Sequence, residues 1–281
     1  MNYKFLMVFL TGAIVVSQSV LAGESSTKIP NFIGEAEVSK SNTGSPIRTL
    51  RFLTTLDFPP FSYLDENSRL TGFNVYLAKA ICAELGIQAA CTIQALPFEE
   101  LVPTIDAGRG DAIVSGLAST TETREQFSFS NSYLRFPGRF VALKSSKAEI
   151  DFDNGLPAAK IGVVAGSDHE KLARAYFPRA SIVGIANEQL LITELTDKKV
   201  DLMFGDGLNL SFWINGAQSK NCCAFTGGAY YSSLYLGEGM RIAVPNSRPD
   251  VIEAINRSLD LIQQKRGIDE LFLRFFPNSF Y

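Results

Sequence analysis

A pattern of short apolar strands alternating with amphipathic helices runs through this sequence twice, and no other feature restricts its fold as much. The first run reads LRFLTT from Leu50, a helix over residues 74–85, CTIQAL from Cys91, a helix over residues 99–107 and DAIVSGLA from Asp111. In its first helix Val75, Ala78, Ile81, Cys82 and Leu85 share one face, Asn74 stands where an N-cap belongs and Gly86 can end the helix. The second run reads KIGVVAG from Lys160, a helix over residues 169–176 stopped before Pro178, SIVGIA from Ser181, a helix over residues 188–198 and DLMFGD from Asp201. Both runs close alike, since "DAGRGDAIVSG" and "TDKKVDLMFGD" each pass from a helix end through an aspartate into a buried strand. A tail follows with the strand GMRIAV, a helix over residues 249–266 and the aromatic finish LFLRFFPNSFY. Alternation of this kind requires right-handed crossovers and largely parallel sheets. The expected fold class is therefore α/β, with two lobes that are each a mostly parallel sheet flanked by helices.

The first residues, MNYKFLMVFLTGAIVVSQSVLAGES, place Lys4 before an apolar run from Phe5 to Val16 and end in a V-L-A pattern. That is the layout of a secretory signal peptide over residues 1–22, cleaved after Ala22, and its apolar run falls short of the roughly 18 to 20 residues of a spanning helix. Residues 23–48 are rich in Ser, Gly, Asn, Glu and Lys and show no apolar period, which reads as a flexible leader. The expected location is the periplasm. Export makes a Cys82–Cys91 disulfide the favoured reading over two buried thiols, whereas the state of the adjacent Cys222 and Cys223 stays open because a bond between neighbours is strained. No metal or cofactor is expected, since His169 is the single histidine and lies far from every cysteine. A formal charge of −3 without long single-sign runs argues against a nucleic-acid partner.

In open α/β sheets, ligands bind beyond the carboxyl ends of the strands. That rule selects Thr55, Asp57 and Phe58 after the first strand, Ser115 to Ala118 after the third, and Val164 to Asp168 with Gly205 and Asp206 in the second run. Rings, backbone amides and an acidic group together suit a small polar or zwitterionic molecule. Pro59 and Pro60 lack amide donors and fix φ, which projects Phe58 outward at little entropic cost.

The segments "LDFPPFSYLDENSRLTGFNVYLAKAICAELG", "PFEELVPTIDAGRGDAIVSGLASTTETREQFSFSNSYL" and "RGIDELFLRFFP" resemble the bacterial periplasmic solute-binding proteins of the polar amino acid transport type, family 3. The resemblance runs from Thr49 to Phe276 and implies a type II periplasmic-binding-protein clamshell. Lobe 1 would comprise residues 49–134 plus 237–281 and lobe 2 residues 135–236, with hinge crossings near Ser132 to Pro137 and Leu234 to Glu238. It implies that Phe58 and Phe98 sandwich the ligand and that Ser115 and Gly116 hold its ammonium and carboxylate through backbone groups. By the same resemblance Ser167 and Asp168 present amides to the carboxylate and Asp206 takes the ammonium. One departure stands out: the threonine and arginine that grip the α-carboxylate in the family fall, counted without gaps, on Ala118 and Thr123, with Arg124 displaced by one. Three readings remain: a local shift brings Arg124 into the pocket, Arg139 substitutes, or the ligand is not an ordinary α-amino acid.

What the resemblance implies is a monomeric substrate-binding protein, not an enzyme, that captures an amino acid or similar small solute for the inner-membrane permease of an ABC importer. The alternative is a periplasmic enzyme on the same fold that dehydrates cyclohexadienyl compounds such as prephenate, for which Asp57, Asp168 and Asp206 are the candidate groups. His169 reads as a first-turn helix residue without a chemical role.

Overall fold

From Leu50–Thr54 (β1) the chain runs through the helix Phe73–Glu84 (α1), Cys91–Ala95 (β2), the helix Phe98–Asp106 (α2), Ala112–Ile113 (β3), the helix Thr121–Gln126 (α3) and Phe127–Phe129 (β4). It then crosses to Gly138–Leu143 (β5), Lys160–Val164 (β6), Asp168–Tyr176 (α4), Ser181–Ile185 (β7), Glu188–Thr196 (α5), Leu202–Asp206 (β8), Gly207–Asn215 (α6) and Cys223–Tyr230 (β9). It returns through Ser233–Leu236 (α7) to Ala243–Pro245 (β10), Pro249–Gln264 (α8) and Gly267–Phe275 (α9). This computed structural model describes residues 47–146, 150–157, 159–276 and 279–281. The expected signal peptide, its cleavage after Ala22 and the leader up to residue 46 lie outside the described residues.

Among the described residues these strands form two five-stranded sheets of identical plan, in the orders β2-β1-β3-β10-β4 and β7-β6-β8-β5-β9, and three short strands between β1 and α1, Asp57–Phe58, Ser62–Leu64 and Leu70–Thr71, form a small antiparallel sheet of their own. In the first, β1 is parallel to both neighbours, with Leu50 opposite Cys91 and Phe52 opposite Ala112. In the second, β6 is likewise parallel to β7 and β8, with Ile161 opposite Ile182 and Leu202. The two remaining places in each sheet are joined antiparallel: β10 to β3 and β4, and β5 to β8 and β9. The strand–helix repeats thus build the parallel half of each sheet, as right-handed crossovers require.

Each sheet has its own core. In lobe 1 the fully buried Phe52, Leu77, Ile81, Ile255 and Phe272 pack between β1, α1, α8 and α9. In lobe 2 the ring of Phe140 on β5 lies 4.6 Å from Phe204, 5.1 Å from Phe177 and 5.5 Å from both Phe152 and Tyr230. The chain passes between the sheets over residues 130–137 and 231–242, and these crossings hydrogen-bond to each other: the Met240 amide donates to Leu134 O at 2.7 Å and the Tyr133 amide to Met240 O at 3.0 Å. The C-terminal aromatics pack beside them, with Tyr281 Oη donating to Arg135 O at 3.1 Å and the Phe280 ring 6.1 Å from Phe136.

Two local expectations change. The N-cap position of α1 is Gly72, not Asn74. Asn74 lies fully buried inside the helix, donating to Val114 O at 3.1 Å and accepting from Tyr133 Oη at 2.9 Å, so its amide ties α1 to the end of β3. Gly72 is required there, because its φ of 120° and the backbone of Phe61 against it leave no room for a Cβ. The helix expected over residues 249–266 is α8, which stops at Gln264, and the segment after it, read as an aromatic finish, holds a further helix, α9, set off from α8 by Arg266 with a left-handed φ of 59°.

Cys82 and Cys91 are bonded and join α1 to β2, and Cys222 and Cys223 are bonded to each other. Replacing Cys82 and Cys91 together by alanine is expected to lower the unfolding free energy by about 2–3 kcal/mol, because the short loop they close is then unconstrained in the unfolded chain. Urea unfolding checks this, and an unchanged midpoint would refute it.

Candidate functional site

At the carboxyl end of the first sheet, Thr54 Oγ1 and Asn74 Nδ2 both donate to Val114 O, at 2.9 and 3.1 Å. The next residue, Ser115, is buried and donates through Oγ to Thr55 Oγ1 at 3.0 Å. Gly116 follows with φ 72° and lies under the ring of Phe58, whose Cε1 would stand 3.2 Å from any Cβ at this position. Phe58 itself leads a tight turn closed by the Phe61 amide donating to Phe58 O at 2.7 Å. Its ring lies 4.7 Å from that of Phe61, which packs in turn on Phe136 at 5.8 Å and Phe276 at 5.6 Å. The exposed face of Phe58 is thus held from behind by the core and by a crossing segment.

The loop after Gly116 is shaped by its own hydroxyls. Thr120 accepts from the Thr123 amide at 3.2 Å, Thr123 Oγ1 accepts from the Thr120 amide at 2.9 Å, and the same hydroxyl donates to Ala118 O at 2.6 Å. Thr123 therefore holds the loop that leads into α3. Arg124, one residue on, extends to Glu238 Oε2 at 2.6 Å, an oxygen that also receives Arg241 Nη1 at 3.2 Å. Gly116, Ala118, Thr121, Arg124, Phe136 and Glu238 line a cavity of about 620 Å3 beside the crossings.

In lobe 2 the strand ends lead directly into helices. Ser167 caps α4, accepting from the Glu170 amide at 3.1 Å and donating to Val164 O at 2.7 Å. Asp206 caps α6, its Oδ1 accepting from the Asn209 amide at 2.8 Å. The Gly166 amide is already engaged, donating to Glu170 Oε2 at 2.7 Å, and this bond together with Arg174 holds the Glu170 carboxyl below the usual range. Asp168 pairs at the surface with Lys171 at 2.8 Å. His169 is half-buried, its ring 6.0 Å from Phe204 and its Nε2 sealed from solvent without a hydrogen-bond partner. Ser167, His169, Glu188, Phe204, Asp206 and Asn209 line a second cavity of about 190 Å3.

Of the residues singled out in the sequence, Phe58, Ser115, Gly116, Ala118 and Arg124 gather at the end of the first sheet, and Ser167 and Asp206 at the end of the second. Phe98 opens α2 and is 49% exposed. Arg139 is 6% exposed within β5 and lines neither cavity: it donates to Phe280 O at 3.1 Å and to Gly227 O at 3.5 Å, over the Phe225 ring at 4.5 Å. Burial without a carboxylate partner depresses the pKa of its guanidinium. Sequence reasoning placed Glu238 only at the end of a crossing and His169 only in a first helix turn; that they line the two cavities follows from tertiary packing, which no local motif signals. Among the described residues no group of three His, Cys, Asp or Glu side chains is placed to hold a metal, and no helix is long and apolar enough to cross a membrane.

The family model of bacterial extracellular solute-binding proteins, family 3, matches residues 50–278. The chain is 27% identical over 236 residues to the putative ABC transporter arginine-binding protein 2 of Escherichia coli, covering 84% of this chain and 94% of that protein. It is also 27% identical over 226 residues to the L-arginine-binding protein of Pseudomonas aeruginosa, covering 80% of this chain and 86% of the other. Among solved structures, the L-cystine solute receptor of Neisseria gonorrhoeae in its unliganded open conformation superposes with a TM-score of 0.66 at 18% identity, over 83% of this chain and 94% of that one.

Proposed function

Because the chain belongs to the bacterial extracellular solute-binding proteins of family 3, we propose that it captures a small amino-acid-like solute between its lobes and delivers it to an inner-membrane ABC permease. The observation that carries this reading is the unequal charge of the two half-sites: at the end of the first sheet two guanidinia, Arg124 and Arg241, share the single carboxylate of Glu238, whereas the cavity at the end of the second is lined by the carboxylates of Asp206 and Glu188 with no lysine or arginine. A zwitterion offers the complement of each. The Phe58 ring, braced by Phe61, supplies an apolar wall. The arginine-binding relatives make cationic amino acids the first solutes to try.

Each lobe supplies half of the polar partners, so the solute favours the closed state in which both halves are satisfied. Moving the population from mostly open to mostly closed needs about 5 kcal/mol of differential affinity, which two charge-assisted contacts and a desolvated ring can provide. In this reading the protein acts as a monomer in the periplasm after cleavage behind Ala22. Residues 49–134 with 237–281 form one jaw and residues 135–236 the other. Binding and closure require no covalent step.

A thermal-shift series with L-arginine, L-lysine, L-ornithine, L-histidine and L-cystine tests the reading, since a solute at one hundred times its Kd stabilises by about 2.7 kcal/mol. Failure of every one to raise the melting temperature overturns it. Prephenate incubated with the protein is expected to remain unchanged, and turnover would replace transport by catalysis.

A further inference from the structure

The chain contains one histidine, and the fold gives it a setting unlike that of an ordinary surface helix residue. His169 stands in the first turn of α4 and lines the cavity that also holds Asp206, while its Nε2 is sealed from solvent and unpartnered. The charged groups around it come from three elements. From its own helix there are Asp168, paired with Lys171, and Glu170, held by the Gly166 amide and Arg174. From the end of β8 there is Asp206, and from the start of α5 there is Glu188, both lining the same cavity. No lysine or arginine lines that cavity, so two carboxylates share it with a single titratable nitrogen.

Burial pushes the imidazole below its ordinary value, while the charges of Asp206 and Asp168 pull it back up. The neutral ring leaves Nε2 unsatisfied and Asp206 without a cation. The protonated ring supplies that cation, at the cost of a charged group in a confined space. A positively charged solute group arriving at Asp206 meets the same carboxylate and would be repelled by a proton already on His169.

We propose that His169 is an internal competitor for Asp206: a proton on its ring fills the place of the solute's cationic group, and the solute binds by expelling that proton to solvent. The inference rests on the proposed capture of a cationic or zwitterionic solute at this site. Below the imidazole midpoint it makes His169 a specificity-determining residue, because there a solute has to offer a positive charge that outcompetes an imidazolium, and neutral polar molecules do not. The direction of the pH effect follows. Above the imidazole midpoint the ring is neutral with and without solute, and affinity does not depend on its titration. As the pH falls through the midpoint of the empty protein, each bound solute must displace a proton, and affinity drops by up to about tenfold per pH unit until the midpoint of the occupied protein is reached.

The single histidine makes the test direct, because its Cε1–H resonance needs no assignment by mutation. Without any solute, the midpoint of this resonance is expected to fall by about one unit in an Asp206→Asn variant relative to the parent chain, as the loss of a facing charge requires. An unmoved midpoint overturns the pairing. With saturating L-arginine, the parent midpoint is expected to fall again, and calorimetry in two buffers of different ionisation enthalpy is expected to register proton release at the midpoint pH. In His169→Gln the release vanishes and the affinity for L-arginine is flat between pH 5 and 7. If L-arginine binds while the midpoint stays in place, His169 is no competitor and the solute-capture reading survives. If the Asp206→Asn shift appears but L-arginine produces no binding heat at any pH, the pairing is supported and capture of cationic amino acids is overturned.

Discussion

An Asp206→Asn variant is expected to bind L-arginine on the order of 100-fold more weakly than the parent chain while keeping its fold. The two halves of this expectation come from the two oxygens of one side chain. Asp206 Oδ1 caps α6 through the Asn209 amide, and asparagine caps a helix as well as aspartate does, so the lobe keeps its stability. What asparagine lacks is the charge. A charge-assisted bond lost from a closed site, with an ammonium left facing a neutral amide, costs about 3 kcal/mol, and each 1.4 kcal/mol is a factor of about ten. An Asp206→Ala variant adds the loss of the cap, about 1 kcal/mol of folding stability. Titration calorimetry paired with urea unfolding separates the two effects. Unaltered affinity in Asp206→Asn would reduce Asp206 to a helix cap.

Replacing Phe140 by alanine is expected to cost about 3–5 kcal/mol of stability, the largest loss of any single change considered for lobe 2. The ring is fully buried on β5, the strand between β8 and β9, within 5.5 Å of four other aromatic rings drawn from four separate stretches of chain. Those neighbours cannot all collapse inward, because Phe204 is fixed in β8 and Tyr230 in β9 on either side of β5. The cavity therefore persists and its cost adds to the lost transfer free energy. Phe204 also carries the strand that ends in Asp206 and packs on His169, so the variant should weaken solute binding beyond its effect on stability. Urea denaturation followed by the fluorescence of the lone tryptophan, Trp213, reports on this lobe. A loss below about 1 kcal/mol would mean that the lobe repacks around the gap.

The parallel half of each sheet was legible because each strand there is joined to the next by a helix, and both carry their period in adjacent residues. Of the antiparallel strands, β10 was readable within GMRIAV, whereas β4, β5 and β9 were not. β5 pairs with β8 more than sixty residues away, and β9 breaks its own alternation at Gly227 and Gly228, where the register shifts between Thr226 and Ala229. The break between α8 and α9 falls on Arg266, a residue whose type gives no warning of a positive φ. At the candidate site, Phe58, Ser115, Gly116 and Asp206 could be located because they end strands. The bond that Arg124 makes with Glu238 could not, since it spans 114 residues and depends on how the return crossing is laid against α3. The sealing of His169 depends likewise on where α5 and β8 pack, which one helix turn of sequence does not encode.

The hydrogen bonds between the two crossings give the jaws a single mechanical coordinate. Strands that run separately between two bodies permit twist, shear and bend in any mixture, whereas a ribbon joined from Tyr133 to Met240 bends about one axis. Fluorophores placed on opposite jaws would then trace a two-valued distance, open or shut, and a chain of this build is a ready-made frame for a ratiometric metabolite sensor.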